Sequence, residues 1–386
     1  MKVLKLSNEL EAKNLLKELG VDGGGVSILA SKMKHHIIYI KDLHVGAANI
    51  LKQDALSIGA DLAVPRGTVI ATTPKVDSIL VATQQQLEIL SRKELAQPFG
   101  LKELAKELKL ICSAKKPKDI EIMGVINANE DSFYSGSRFN DVRAIETIVA
   151  MIEDGASIID IGGVSSRPNA AVVSVDEELQ RVKPIIDAIK QNRLYEEAEF
   201  SCDSYEPEVI SYALESGFKI VNDITGLSND DVCKLCASYD ATAVIMHMQG
   251  TPQTMQDNPE YDSVLNDVYS FLDERVKKAE SFGVNEIIVD IGIGFGKTLE
   301  DNLALVTNLE HFLSMNKKIL VGASRKSMID KIVSCSVKDR LPGTLTLHLE
   351  AMKNGASILR VHDVKEHYQA IEVQKKLNHY SLNHKK

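Results

Sequence analysis

The chain is poor in everything that would send it outside the cytoplasm or onto a polymer. Its five cysteines fall at uneven spacing in 386 residues and make no disulfide framework. No stretch approaches the roughly 20 consecutive apolar residues of a membrane span. Met1–Glu11 carries acidic residues where a signal peptide would be apolar. Positive charge is also in deficit: a net charge of −9 argues against nucleic acid, whose non-specific binding rests on neutralised phosphates. A local basic pocket for a small anion remains compatible with that balance. The expectation is a cytoplasmic protein acting on small molecules, without nucleic-acid or membrane partners.

Against these absences stands a repeated pattern. Eight short apolar runs, each ending in a polar residue, are separated by helical stretches. They are Ile122–Asn127, Ser157–Asp160, Ala198–Asp203, Lys219–Asp223, Ala243–His247, Glu286–Asp290, Lys317–Lys326 and Ile358–His362. Strands that are apolar along their length and polar at their C-terminal ends suit a buried parallel barrel opening onto one catalytic face. A doubly wound open sheet also alternates strands and helices. The count of eight and the polar strand ends favour the (β/α)8 TIM barrel, preceded by a small N-terminal α/β domain.

The boundaries read as 1–115 for the N-terminal extension, 116–378 for the barrel and 379–386 for a polar tail. In the extension, Asn8–Leu19 reads as an amphipathic helix, His36–Ile40 and Val76–Ala82 as strands, and Gly46–Ile58, Gln84–Ser91 and Leu101–Leu110 as helices. Gly23-Gly24-Gly25 lacks the lysine and helix entry of a P-loop, and a flexible turn is expected there. His35, His36 and His44 show no ligand spacing. Cys233 and Cys236 lie three apart in a helix-like segment, where such positions share a face. Structural cysteines are expected, and Cys202 is expected to pack.

Four constellations on the strand ends exceed what folding needs. Asp290-Ile-Gly-Ile-Gly-Phe-Gly-Lys297 alternates glycines, which allow a ring or backbone to approach closely. Ser324-Arg325-Lys326-Ser327 and Arg360-Val-His362 sit where this fold habitually binds anions, after the seventh and eighth strands. Three cations and a histidine there point to a phosphorylated or pyrophosphorylated substrate. Asp203, Asn222 and Asp290, on three strands, suit a donor-rich heterocycle.

The motifs Met123–Asn127, Asp160–Gly163, Ser166-Arg167-Pro168, Asn222-Asp223, Met246-His247-Met248, Gly292–Lys297, Ser324–Ser327, Arg340–Thr344 and Arg360–Asp363 together resemble dihydropteroate synthase, in the family's order over about residues 118 to 375. The resemblance implies a folate-pathway transferase, a sulfonamide-target class. It would condense (7,8-dihydropterin-6-yl)methyl diphosphate with para-aminobenzoate to 7,8-dihydropteroate and pyrophosphate. It further implies that Asp203, Asn222, Asp290, Lys326 and Met246 hold the pterin. Asn127, Arg360 and His362 would hold the pyrophosphate, and Ser166, Arg167 and Ser327 the aminobenzoate. Asp203, Lys326 and Arg167 would act in catalysis, and Asn127 would contact a Mg2+ cofactor. A homodimer is the expected assembly. The chain departs from the family at Ala128-Asn129-Glu130, at Val164, Ser166 and Asn169 of the second loop, and at Asp290-Ile-Gly292. A methyltetrahydrofolate-dependent methyltransferase and a non-catalytic pterin-binding protein are the alternatives.

Overall fold

A computed structural model of the chain describes residues 3, 11–128, 138–165 and 173–378. Two compact units emerge, Met1–Ala114 with Val373–Lys386, and Lys115–Glu372. The last turns of the helix Val364–Asn378 therefore group with the first unit, whereas the sequence puts that boundary at 378. The tail at 379–386 lies outside the described residues.

In the first unit, strands β1 (His35–His44), β2 (Asp61–Ala63) and β3 (Lys75–Thr83) form an antiparallel sheet in the order β1-β3-β2. Alternate residues of β3, including Val76, Leu80 and Ala82, face a core of Leu51, Leu62, Leu87, Leu90, Leu101 and Leu108 supplied largely by the helices. Thr83 and Gln86 close a capping box at the start of the helix Gln84–Lys93. The three glycines form no turn. They open the helix Gly23–Met33, with Gly25 and Val26 N–H donating to the Asp22 carbonyl. The cost of ordering glycine falls on the first turn, while Val26 and Ala30 bury the face that holds the helix. His44 caps the helix Val45–Ser57 and stacks on Phe99.

Glu94 is wholly buried, and neither of its carboxyl oxygens meets a protein donor. Asp54 Oδ2 beside it is in the same position, while its Oδ1 pairs with Lys93 at 2.8 Å. Burial, and then Asp54, raises Glu94 to about 7, and a proton on Glu94 would give Asp54 Oδ2 a donor. A raised acid stabilises the fold below its unfolded pKa, and that contribution is lost as pH rises through the folded value. Glu94→Gln should therefore gain on the unsubstituted chain by about 1–2 kcal/mol between pH 5 and pH 8.5. Thermal melts at the two pH values check this, and a constant gap would refute the proton on Glu94.

The second unit is a closed barrel of eight parallel strands. They are β4 (Glu121–Asn127), β5 (Ile158–Gly162), β6 (Glu199–Asp203), β7 (Ile220–Asp223), β8 (Thr242–Met246), β9 (Ile287–Asp290), β10 (Lys318–Val321) and β11 (Ile358–Val361). The alternation of side chains builds the interior in layers. Met123, Ile158, Ile220, Val244, Ile288, Leu320 and Ile358 form one apolar layer. Two residues further along six of those strands, on the same side, come Asp160, Asn222, Met246, Asp290, Gly322 and Arg360. A Cβ on Gly322 would stand in ordinary contact with Arg360, 3.8 Å from its Cβ. One step along each strand turns packing into chemistry. Cys233 and Cys236 are buried in the helix Asp230–Ser238, Cys202 is buried in β6, and all five cysteines are free thiols.

Candidate active site

Closure of the barrel brings Arg360 of β11 across to β5 and β6. Its Nε donates to Asp160 Oδ2 at 2.7 Å and its Nη2 to Asp203 Oδ2 at 2.6 Å. Asn222 Nδ2 donates to the same Asp160 oxygen at 3.0 Å. Asp160 is completely buried, and its Oδ1 meets no donor. The sequence left Asp160 out of the candidate site. Its signals were the polar end of the run Ser157–Asp160 and its place in the motif Asp160–Gly163.

Acid outweighs base around this network, and the titration behaviour follows. Burial raises Asp203 to about 7; Arg360 opposes the rise, while Asp160 and Glu178 add to it. Burial also raises Asp290, against the Gly292 N–H and the charges of Lys326, Arg360 and Lys297. For Arg360 burial works against the charge, but Asp160 and Asp203 outweigh it, so the guanidinium stays protonated. Carboxylates so arranged want hydrogen-bond donors.

The glycine run after β9 packs against protein. Gly292 and Gly296 have positive φ, and a Cβ on either would fall within 2.6 Å of a carbonyl oxygen of His247 or Gln249. Lys297 lies beneath, with Nζ 2.9 Å from His247 Nδ1, Gly292 O and Phe295 O. Burial pulls Lys297 down to about 7, and burial with Lys297 beside it pushes His247 down to about 3. Lys297 is thus the post on which the loop is wound, a role the sequence did not disclose. Asn302 Oδ1 accepts from Gly294 N at 2.7 Å and completes the tie. The loop presents Phe295 to Lys326, whose Nζ sits 4.0 Å from the ring centroid. Phe295 joins Met246, Ile224 and Met255 in an apolar wall beside Asp290.

After β10 and β11, Ser324 Oγ and His362 Nδ1 are 2.9 Å apart. Arg325 holds Asp363 with its Nε and Nη2 and adopts φ +56°. Of the three cations expected to face an anion, Arg325 is therefore spent on Asp363, and Arg360 is clamped between two carboxylates. Alternation aimed Arg360 correctly; the charge it meets first lies across the barrel. Ser327 opens the short helix Ser327–Ile332 and is exposed. Asn127, at the end of β4, pairs in register with Gly162 of β5. Ser166 and Arg167 lie outside the described residues. Val164 and Ser165, just before them, line a recess with Glu178, Asp203, Ser204, Tyr205 and Ile224. Burial raises Glu178 there to about 7.

The sequence profile of the family described as pterin binding enzyme matches residues 123–362. Over 375 residues, 97% of this chain and 99% of the relative, the chain is 42% identical to the bifunctional dihydropteroate synthase/dihydropteroate reductase of Helicobacter pylori. It is 42% identical over 255 residues to the dihydropteroate synthase of Escherichia coli, covering 65% of this chain and 89% of that one. The Yersinia pestis dihydropteroate synthase, solved with a sulfonamide drug complex, superposes with a TM-score of 0.63 at 34% identity, covering 67% of this chain and 94% of that chain. The Xanthomonas albilineans enzyme in complex with 7,8-dihydropteroate gives 0.61 at 30% identity, covering 68% and 95%. With its barrel matched from first strand to last, and such identity over nearly the full length of its relatives, this chain belongs to the dihydropteroate synthase family of pterin-binding enzymes.

Proposed function

We propose that the chain joins (7,8-dihydropterin-6-yl)methyl diphosphate to para-aminobenzoate, forming 7,8-dihydropteroate and pyrophosphate. The bond from the pterin methylene to diphosphate oxygen breaks, taking its electron pair to the leaving group. The aromatic amine forms the new carbon–nitrogen bond and gives up one proton. The observation that carries this reading is the Asp160–Asn222–Arg360–Asp203 network, an acceptor-rich mouth with Asp290 on its rim. Asp203, Asn222 and Asp290 accept and donate along the pterin edge, and Met246 and Lys326 bracket the ring. Asp203 also stabilises positive charge developing on the methylene. Arg360, His362 and Asn127 hold the diphosphate. Ser166, Arg167 and Ser327 seat the amine and its carboxylate.

Among the described residues no group of three or more His, Cys, Asp or Glu could cage a metal. A single amide oxygen at Asn127 fits magnesium held mainly by substrate oxygens and water. Asn127 would hold such an ion, which would supply positive charge to offset that of the departing diphosphate. We take the assembly to be a homodimer and the compartment to be the cytoplasm. No helix among the described residues is long and apolar enough to cross a membrane.

In a coupled assay, dihydropteroate and pyrophosphate should appear in step and require a divalent cation. Asp203→Asn and Asp290→Asn should each weaken pterin binding roughly tenfold to a hundredfold by calorimetry. Pyrophosphate release without uptake of the amine would make the chain a hydrolase, and unchanged pterin affinity in both variants would sink the pterin assignment.

One observation favours a second activity beside the first. The Helicobacter pylori relative is matched along nearly its whole length, N-terminal unit included, and its name adds a dihydropteroate reductase. Such a step adds a hydride and a proton across the N5–C6 double bond of the dihydropterin, and a reduced nicotinamide or flavin must supply the hydride. We assign the N-terminal residues 1–115 to that added role. Failure of the full chain to form tetrahydropteroate with either donor would remove this reading and leave the synthase intact.

A further inference from the structure

Two buried histidines join the segments that follow β10 and β11. Ala323 N–H donates to His348 Nε2 at 3.0 Å, so that nitrogen carries no proton. The ring proton therefore sits on Nδ1, which faces His367 Nε2 at 2.8 Å. His367 Nε2 must accept, which leaves its own proton on Nδ1, beside the carbonyl oxygen of Asp363. Each bond sets the tautomer of the next ring. Both rings are neutral by construction, and they are 0% and 1% exposed. Burial lowers the pKa of each.

The ends of this relay matter for what they adjoin. Ala323 immediately precedes Ser324–Ser327, and Asp363 immediately follows His362. The relay is a third brace between the two segments, beside Ser324–His362 and Arg325–Asp363. Apolar side chains of similar size would pack in the same place but leave the Ala323 N–H without its acceptor.

We propose that His348 and His367 are positioning residues for the diphosphate, a neutral relay that holds the two anion-binding segments in register and lets go when either ring gains a proton. The proposal rests on the reading of His362 and Arg360 as diphosphate ligands. A proton on His348 Nε2 would oppose the Ala323 N–H, and one on His367 Nε2 would oppose His348 Nδ1–H. Either sets donor against donor. The titratable and charged groups around the pair are His362, Asp363 and Glu366, with Arg325 acting through Asp363 and Arg340 through the Arg325 carbonyl. His362 has the opposite sign, because its protonation favours an anion. The relay is therefore read from a comparison of variants across pH, in which the ionisation of the probe cancels.

The probe is inorganic pyrophosphate with magnesium, titrated calorimetrically into the full chain from pH 8 down to the lowest pH at which circular dichroism shows it folded. At pH 8, His348→Leu/His367→Leu should bind it roughly fivefold to a hundredfold more weakly than the unsubstituted chain. His348→Gln, which can still accept from Ala323 and donate to His367, should recover most of that loss. As pH falls through the lowered pKa values of the two rings, below the ordinary imidazole range, the unsubstituted chain should lose its advantage, since its relay breaks while the double variant has none to break. Should the double variant not fold, His348→Gln carries the pH readout alone, with one titrating ring removed and a flatter acid limb. A ratio of affinities that stays constant with pH, or equal affinities at pH 8, overturns the relay. His362→Asn separates the two readings: if it weakens pyrophosphate binding and the histidine variants do not, only the relay fails. If neither does, the anion corner itself is misassigned.

Discussion

Arg360→Met should destabilise the barrel by about 3–5 kcal/mol near neutral pH and abolish turnover. The guanidinium is the hydrogen-bond donor shared by Asp160 Oδ2 and Asp203 Oδ2, both deep in the mouth. Methionine fills much of the volume but leaves the two carboxylates facing each other without a cation. The pKa of Asp203 should then climb beyond the rise it already shows, because the Arg360 charge that opposes that rise is gone. For acids raised in this way, stability is full at low pH and falls as pH rises. The penalty should therefore shrink markedly at pH 5.5, where Asp203 holds a proton, and Arg360→Met/Asp160→Asn should recover part of it at pH 7.5. Urea unfolding followed by circular dichroism gives the numbers. A penalty that is the same at both pH values would mean that Arg360 contributes packing rather than charge. Turnover should not recover in the double variant, because the cation proposed to meet diphosphate is still absent.

Gly292→Ala should be as damaging for a steric reason. A Cβ there would stand 1.8 Å from the His247 carbonyl oxygen, on a backbone with φ +65°. Neither neighbour can move freely, since His247 N–H is bonded to the Asp290 carbonyl and Lys297 ties Gly292 O to His247. Gly283→Ala is the matched control, with φ +88° and nothing nearer than 3.9 Å. The control should cost about 1–2 kcal/mol, the left-handed backbone strain alone, and bind pterin normally. Gly292→Ala should cost more than about 3 kcal/mol and lose pterin affinity at least about a hundredfold, because Asp290 and Phe295 flank the displaced turn. Denaturation midpoints and pterin calorimetry on the two variants decide it. Similar losses in both would show that the strain is conformational only.

The residues whose position at the barrel mouth was legible in the chain are those whose placement is local. Asp203 and Asp290 each end an apolar run, Asn222 and Arg360 lie one and two residues before the end of theirs, and alternation along one strand is enough to aim them inward. The Gly23–Gly25 expectation failed because composition there points to a turn, whereas the burial of Val26 and Ala30 carries the helix. β2, only Asp61–Ala63, was too short to show a period and exists through its pairing with β3. Lys297 looked like the end of a glycine motif, and its burial on three carbonyls and a histidine belongs to a loop closed from two strands.

What the sequence by itself determined is the barrel and its polarity: eight apolar runs in a row, each ending in a group capable of chemistry, with basic residues clustered on the last two. The period of two and the length of each run are properties of neighbouring residues, so they survive without the fold. Which charges meet was decided only by closure. Arg360 reaches Asp160 and Asp203 across separations of 200 and 157 residues, and no local pattern carries a partner so distant. The same holds for the His348–His367 pair, 19 residues apart on two outer helices. A single layer of the barrel draws one side chain from each strand end, and in so small a volume every acid must find a donor or a proton. That requirement, imposed by burial, converts a list of polar strand ends into one network with Arg360 at its centre.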